Sequence, residues 1–280
     1  MKIHKRLLLL AVTLLMPGLL LTLSAQKKVE LKYNLTKGDQ YTYNIETDQD
    51  ISFEANGQPM VMNSKIGFEM TGTINDNASD NIIVKTIIDR VTMNQSIFGM
   101  EIKYDSKDPA STENPMAAKI AETFSGLIGS SFTMTMDNKG NVKEMDMSEL
   151  TNNNDLAQNL SSGSNYAIYP EGKVAVGDSW EKDIEPLKTS DMKYHIKYTV
   201  LKIGKKETTL GVEGTIAANS VDDQEVNMKG TQTGEMIVNT QTGWLISSTI
   251  DQELTLDIEQ GGQKFPATIS GTTVSTSVKK

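Results

Sequence analysis

Apolar and polar residues alternate along most of this chain. Tyr41, Tyr43, Ile45, Ile51 and Phe53 share odd parity, with Asn44, Glu46, Asp48 and Asp50 between them. Met60, Met62, Ile66, Phe68 and Met70 share even parity, and Phe98, Met100, Ile102 and Tyr104 repeat the pattern. Phe132, Met134 and Met136 follow, then Tyr194, Ile196, Tyr198 and Val200, then Trp244, Ile246 and Ile250, and finally Leu254, Leu256 and Ile258. A period of two with one polar face predicts strands with one side in a core and the other in water, which is the antiparallel case. Ile82-Ile83-Val84 and Ile87-Ile88 are apolar on both parities and predict a central strand covered on both faces.

The breaks between these runs carry turn chemistry. Asn56-Gly57 sits between two alternating runs, as hairpin turns require. Asp137 to Gly140, Asn239 to Gly243 and Glu259 to Gln263 read as short loops with glycine in a left-handed position. One segment follows a different period. From Thr112 to Ile128, Met116, Ile120, Phe124, Leu127 and Ile128 fall at helical spacing behind Asn114-Pro115, which predicts one amphipathic helix. Ser148 to Leu160 reads as a shorter second helix, and Ser161 to Ser164 as a linker. Lys37-Gly38-Asp39-Gln40-Tyr41 and Val176-Gly177-Asp178-Ser179-Trp180 open two stretches of similar layout, a faint internal duplication. The expected fold is all-β with minor α: a long antiparallel meander curled into a half-barrel or open barrel, with one helix and two similar halves. The halves are residues 26–165, with the helical insertion near 112–128, and residues 166–280.

The first 25 residues stand apart from this pattern. Lys2, Lys5 and Arg6 precede an apolar run from Leu7 to Leu23, and Ser24-Ala25 offers a small residue for cleavage. That is the layout of a secretory signal peptide, so residues 1–25 are expected to be removed and the remainder exported as a soluble protein to the periplasm or beyond. The chain has no cysteine. Lipid attachment at an N-terminal cysteine, disulfides and thiolate chemistry are therefore excluded. After cleavage 24 basic residues face 36 acidic ones. This balance argues against nucleic acid and against an anionic membrane surface as partners.

Catalytic chemistry finds little to work with. His195 is the one histidine outside the signal region, and its parity places it on the polar face opposite Tyr194 and Ile196. No Gly-x-Ser-x-Gly elbow, His-Glu-x-x-His motif, P-loop or dinucleotide fingerprint is present. Asp222-Asp223 with Glu225 is the densest acidic cluster and reads as a solvated loop. Asp137 to Asn141 lacks the downstream glutamate of a calcium loop and reads as a hairpin turn. Trp180 and Trp244 are the only tryptophans available for a flat carbohydrate platform. No catalytic residue, metal site or cofactor is expected. Methionine is the unusual apolar choice, with all but Met1 and Met16 of its 15 copies outside the signal region. Flexible, polarizable methionines on inward parities suit a surface that accommodates variable apolar ligands. The candidate ligand-binding residues are Met60, Met62, Met70, Phe98, Met100, Phe132 and Met134.

Lys37-Gly38-Asp39-Gln40-Tyr41 after Leu31-Lys32-Tyr33, then Asp89 to Met93 before Tyr104-Asp105-Ser106, the Met-x-Met-Asp-x-x-Gly turn at 134–140, and Tyr169-Pro170-Glu171 leading to Val176-Gly177-Asp178-Ser179-Trp180 occur in an order that resembles a known family. It is the exported bacterial domain of unknown function numbered 6263, common in Bacteroidota, and the resemblance spans about residues 27–278. It implies an envelope location and no particular activity. The function expected is non-enzymatic binding of a lipid or other apolar or amphiphilic ligand. The alternatives are a structural or protein-interaction module with an envelope protein as partner and, behind it, a carboxylate-based hydrolase, which needs two facing acids roughly 5 to 9 Å apart.

Overall fold

A computed structural model describes residues 27–55, 58–78, 81–97, 99–150, 166–185, 191–221, 224–260 and 263–280. Residues 1–25 with the expected signal peptide, the Asn56-Gly57 turn, Phe98, most of the second predicted helix, the expected linker at 161–164 and Asp222-Asp223 lie outside the described residues. The strands are β1 (Val29–Glu30), β2 (Gln40–Ala55), β3 (Gln58–Ala78), β4 (Asn81–Ile97), β5 (Met100–Asp105), β6 (Ser131–Met136), β7 (Val142–Asp146), β8 (Lys173–Val174), β9 (Ser179–Ile184), β10 (Lys193–Ile203), β11 (Glu207–Val221), β12 (Gln224–Asn239), β13 (Leu245–Gln260) and β14 (Gln263–Lys279). Among the described residues one α-helix, α1 (Pro115–Ser125), occurs, after a short 3-10 turn at Pro109–Glu113.

Twelve strands form one antiparallel sheet in the order β7-β6-β4-β3-β2-β14-β13-β12-β11-β10-β9, with β5 on the outer stretch of β4. The first and last long strands pair along the middle, from Ala267 opposite Phe53 to Lys279 opposite Tyr41. The sheet is thus two meanders joined at a central seam, with its free edges made by the middle of the chain. It curls into a half-barrel-like trough and does not close. Buried residues follow the alternation: Tyr41, Ile45, Met70, Ile74, Leu210, Val212, Met236 and Ile250 all face the concave side. The isoleucine-rich strand β4 is central but covered on one face. Ile82, Val84 and Ile88 are buried, whereas Ile87 is 38% exposed, because nothing among the described residues covers it on the convex side of the trough.

Two extended segments, one leading into each half, cross inside the trough. Residues 29–35 and 166–175 meet at the short β1–β8 ladder, where Val29 opposes Val174. Each segment is tied to hairpin turns of the sheet. The Tyr33 and Tyr169 amides donate to the Asn138 and Lys139 carbonyls at 2.7 Å each, and the Asn34 amide donates to the Thr242 carbonyl at 3.0 Å. The Tyr33 hydroxyl donates to the Ala167 carbonyl at 3.0 Å, and the Tyr169 hydroxyl to the Gly243 carbonyl at 2.6 Å. The two turns end in Gly140 and Gly243, with φ of 87° and 67°. A Cβ at either glycine would sit 2.5 Å from the Ala167 carbonyl oxygen or 2.3 Å from that of Lys32, so both left-handed backbone and closeness demand glycine. The same pairing of turn and lead-in recurs at Gly38 and Gly177, whose amides donate to the Ile74 and Val200 carbonyls. These bonds occur once in each meander.

Helix α1 forms where its spacing and caps indicate: Asn114 accepts from the Met116 amide at 2.9 Å and Pro115 opens the first turn. Ile120, Phe124 and Leu127 face inward as the spacing predicts. Ala117 and Leu127 are buried and Phe124 stacks on Tyr104 at 6.2 Å, while Met116 and Ile128 are exposed. Small Ala117 lets the helix approach β5 closely, which turns the bulkier Met116 outward. The ground beneath the helix is fixed by charge. Arg90 forks onto both Asp105 oxygens, at 2.8 and 2.5 Å, and reaches Glu69, which also takes Lys107 at 2.8 Å. The Arg90 hydrogen bonds hold the Asp105 carboxyl down at about 2, against an ordinary value near 4. Because the folded-state value is the lower one, the stabilisation is present above pH ~4 and fades as pH falls toward ~2. Urea midpoints of the wild type and Arg90→Met are therefore expected to differ at pH 6 and to converge near pH 2. A gap that stays constant across that range would contradict this assignment.

Candidate functional site

The crossing segments fill the trough on the side of the second half. On the other side they leave a cleft. Its floor is the concave face of β2, β3, β4 and β6, through Tyr43, Ile45, Met70, Val84, Thr86, Phe132, Met134 and Met136. Tyr33 and Tyr166 of the crossing segments form the facing wall, and Met145, Trp244 and Leu245 complete the rim. The cavity volume is about 60 Å³, and the cleft is open to solvent. One water needs roughly 10–15 Å³ of such volume, so the space is larger than a single water site.

The polar ends of two of the aromatic rings, Trp244 and Tyr33, are tied down. The Trp244 indole N–H donates to the Ser277 hydroxyl at 2.8 Å, and Tyr33 spends its hydroxyl on Ala167, donating to the carbonyl and accepting from the amide. Trp244 is held by Tyr41, Tyr43 and Tyr33 at ring separations of 4.2, 5.6 and 6.2 Å. Burial pushes the Tyr166 hydroxyl up to about 12 and raises those of Tyr33 and Tyr43 as well. All three are therefore neutral at physiological pH. Among the described residues the lining contains no Asp, Glu, Lys, Arg or His, and Thr86 is its only aliphatic hydroxyl. Such a surface can exclude water and hold an apolar group. It offers no general base, and no cluster of metal-ligating side chains occurs among the described residues.

Met70, Phe132 and Met134 are brought together in this cleft. Met60 and Met62 lie farther along the same concave face, toward the β2–β3 hairpin, opposite Phe53 and Ile51. Met100 is 51% exposed at the start of β5, and Phe98 lies outside the described residues. His195 is exposed on the convex face, 2.7 Å from Asp183, whose hydrogen bond raises its pKa. Trp180 stacks on Tyr198 and donates to the Ile168 carbonyl, so neither tryptophan presents an open platform. Tyr33 and Tyr166 are site residues that alternation does not mark, because they lie in the crossing segments. The cue available was the aromatic density of Tyr166 to Tyr169 in a stretch with no strand period.

The family model described as "Family of unknown function (DUF6263)" matches residues 79–155 and 144–245. No curated protein matches. Among solved structures, one of lipovitellin, concerned with lipid-protein interactions, aligns at a TM-score of 0.54 and 9% identity, over 88% of this chain and 25% of that one. The chain thus spans a quarter of the length of that protein, and the likeness is one of fold. The translocator domain of the autotransporter NalP from Neisseria meningitidis aligns over 88% of this chain and 90% of that one, at 9% identity and a TM-score of 0.24.

Proposed function

We propose that this chain, which belongs to the family of unknown function DUF6263, is an exported envelope protein that binds an apolar or amphiphilic ligand in the cleft without transforming it. The observation that carries the reading is the uncharged cleft of Tyr33, Tyr43, Met70, Phe132, Met134 and Trp244, open at one end. Buried ring faces and methionine sulfurs give a deformable apolar surface. At roughly 25 cal/mol per Å² of apolar area removed from water, such a surface can hold an alkyl chain without any charged contact. A likeness in fold to part of lipovitellin, whose structure concerns lipid-protein interactions, is compatible with this reading. The basic and apolar run at residues 1–25 supports export.

The test is a fluorescence titration of residues 26–280 with N-phenyl-1-naphthylamine, a neutral apolar probe. Saturable binding at one probe per chain, with a micromolar dissociation constant, is expected. Absence of saturable binding would refute the reading and turn attention to the free sheet edges β7 and β9 as protein-docking sites.

A further inference from the structure

At one point on the floor of the cleft, two hydroxyls from different strands come together. Thr86 on β4 opposes Gly72 on β3, and Gly72 opposes Tyr41 on β2. The glycine leaves a gap in this row, and the ring of Tyr43, the next concave residue along β2, leans into it. A Cβ at Gly72 would lie 2.6 Å from the edge of the Tyr43 ring and 3.3 Å from its hydroxyl oxygen. The missing side chain is thus what lets the ring lie across β3. Cross-strand neighbours hold their Cβ positions roughly 5 Å apart, so the Tyr43 hydroxyl comes to the side of Thr86. Both residues line the cleft.

Neither hydroxyl is spent on the protein. Thr86 is 5% exposed and Tyr43 is half-buried, and neither makes a side-chain hydrogen bond among the described residues. Nor is either sealed off. Among the described residues the partnerless hydroxyls closed to solvent are those of Tyr198 and Ser248, which do not line the cleft. Water therefore reaches Tyr43 and Thr86 through the open cleft, and the demand arises when a ligand displaces it. A ligand of hydrocarbon alone leaves both hydroxyls without a partner, at their full desolvation cost. A ligand with a polar oxygen at this point replaces the water. Burial raises the pKa of the Tyr43 hydroxyl well above its ordinary value, so it stays protonated and able to donate.

Resting on the apolar-ligand reading, we propose that Tyr43 and Thr86 form a polar subsite on the cleft floor, and that the ligand is an apolar molecule carrying a hydroxyl on the part that enters. A hydroxyl is donor and acceptor at once, as both side chains are, so it accepts from one and donates to the other. Gly72 is the positioning residue that lets the two side chains approach. Around this point Ile45, Met70, Val84, Phe132 and Met134 hold the hydrocarbon part of the ligand.

The experiment compares 2-naphthol with 2-methylnaphthalene, which exchange a hydroxyl for a methyl on one ring system. Isothermal titration calorimetry at pH 6.5 measures both on residues 26–280 and on Thr86→Val, Tyr43→Phe and the double variant. Each substitution keeps the shape of its side chain, and saturable binding of N-phenyl-1-naphthylamine shows that the cleft is intact. The readout is the ratio of the two dissociation constants, in which the hydration of the free ligands cancels when proteins are compared. Relative to wild type, the ratio is expected to move against 2-naphthol by about three-fold or more in each single variant. In the double variant it should move by about ten-fold or more, within reach of one or two net hydrogen bonds. A ratio that stays constant in the double variant, a change confined to one single variant, or probe binding with neither test compound bound overturns the hydroxyl subsite while leaving the cleft reading intact. Failure of the probe and both compounds on wild type removes both.

Discussion

Tyr169→Ala is expected to cost about 3–5 kcal/mol of unfolding free energy, the range for removing a large buried ring. Tyr169 is fully buried, its ring lies 5.3 Å from that of Tyr33, and its hydroxyl caps the Gly243 carbonyl. The loss reaches beyond one contact. The turn at Gly243 receives the Asn34 amide through Thr242, and the matching turn at Gly140 receives both Tyr33 and Tyr169 amides. Removing one ring loosens the crossing that fills half of the trough. Tyr169→Phe isolates the hydroxyl, whose loss leaves a buried carbonyl short of one partner and costs about 1–3 kcal/mol. Chemical denaturation of the three proteins measures both numbers. A Tyr169→Ala midpoint close to wild type would mean that the crossing segments are decoration on a sheet that stands without them.

The second large effect concerns the ligand. Met134 is half-buried and lines the cleft, so Met134→Trp places a larger ring in the enclosed space. The affinity for N-phenyl-1-naphthylamine should fall at least about ten-fold, equivalent to ~1.4 kcal/mol. Stability should change by less than the ~1–3 kcal/mol typical of overfilled cores, because the space is open at its mouth. Val61→Trp is the control: Val61 is 55% exposed on the convex face, and a ring there leaves binding unchanged. Equal loss in both variants would mean that the probe adheres to the sheet at large rather than to the cleft.

The strand pattern was legible because the trough has one wet face. Tyr41 to Phe53 and Met60 to Met70 alternate so regularly that register and concave parity follow from the letters, and with them the inward placement of Met70 and Met134. The seam was not legible. Nothing local to β2 or β14 tells that the first long strand pairs with the last, since each is equally a candidate for its sequence neighbours. The doubly apolar run at Ile82 to Ile88 misled for a related reason. A half-open trough leaves Ile87 in water, whereas the two-sided expectation belongs to sheets with both faces covered. The cleft itself depended on the crossing segments. Tyr33 and Tyr166 have no strand period to announce them, and their place inside the trough is set by backbone bonds to distant turns at 138–139 and by the contact between Tyr33 and Ala167. The methionines pointed to the right wall of the site, and the aromatic wall facing them is long-range information.

The chain carries its own reporter for the central claim. Trp244 lies in the cleft and Trp180, the other tryptophan, does not line it. In Trp180→Phe the fluorescence comes from Trp244 alone, and a monoacylglycerol with a dibrominated chain quenches it only from within close range. The account predicts strong quenching that saturates at one ligand per chain and is relieved by Met134→Phe, which narrows the cleft without adding a second indole. Trp244 emission that stays constant throughout the titration would contradict a ligand in the cleft.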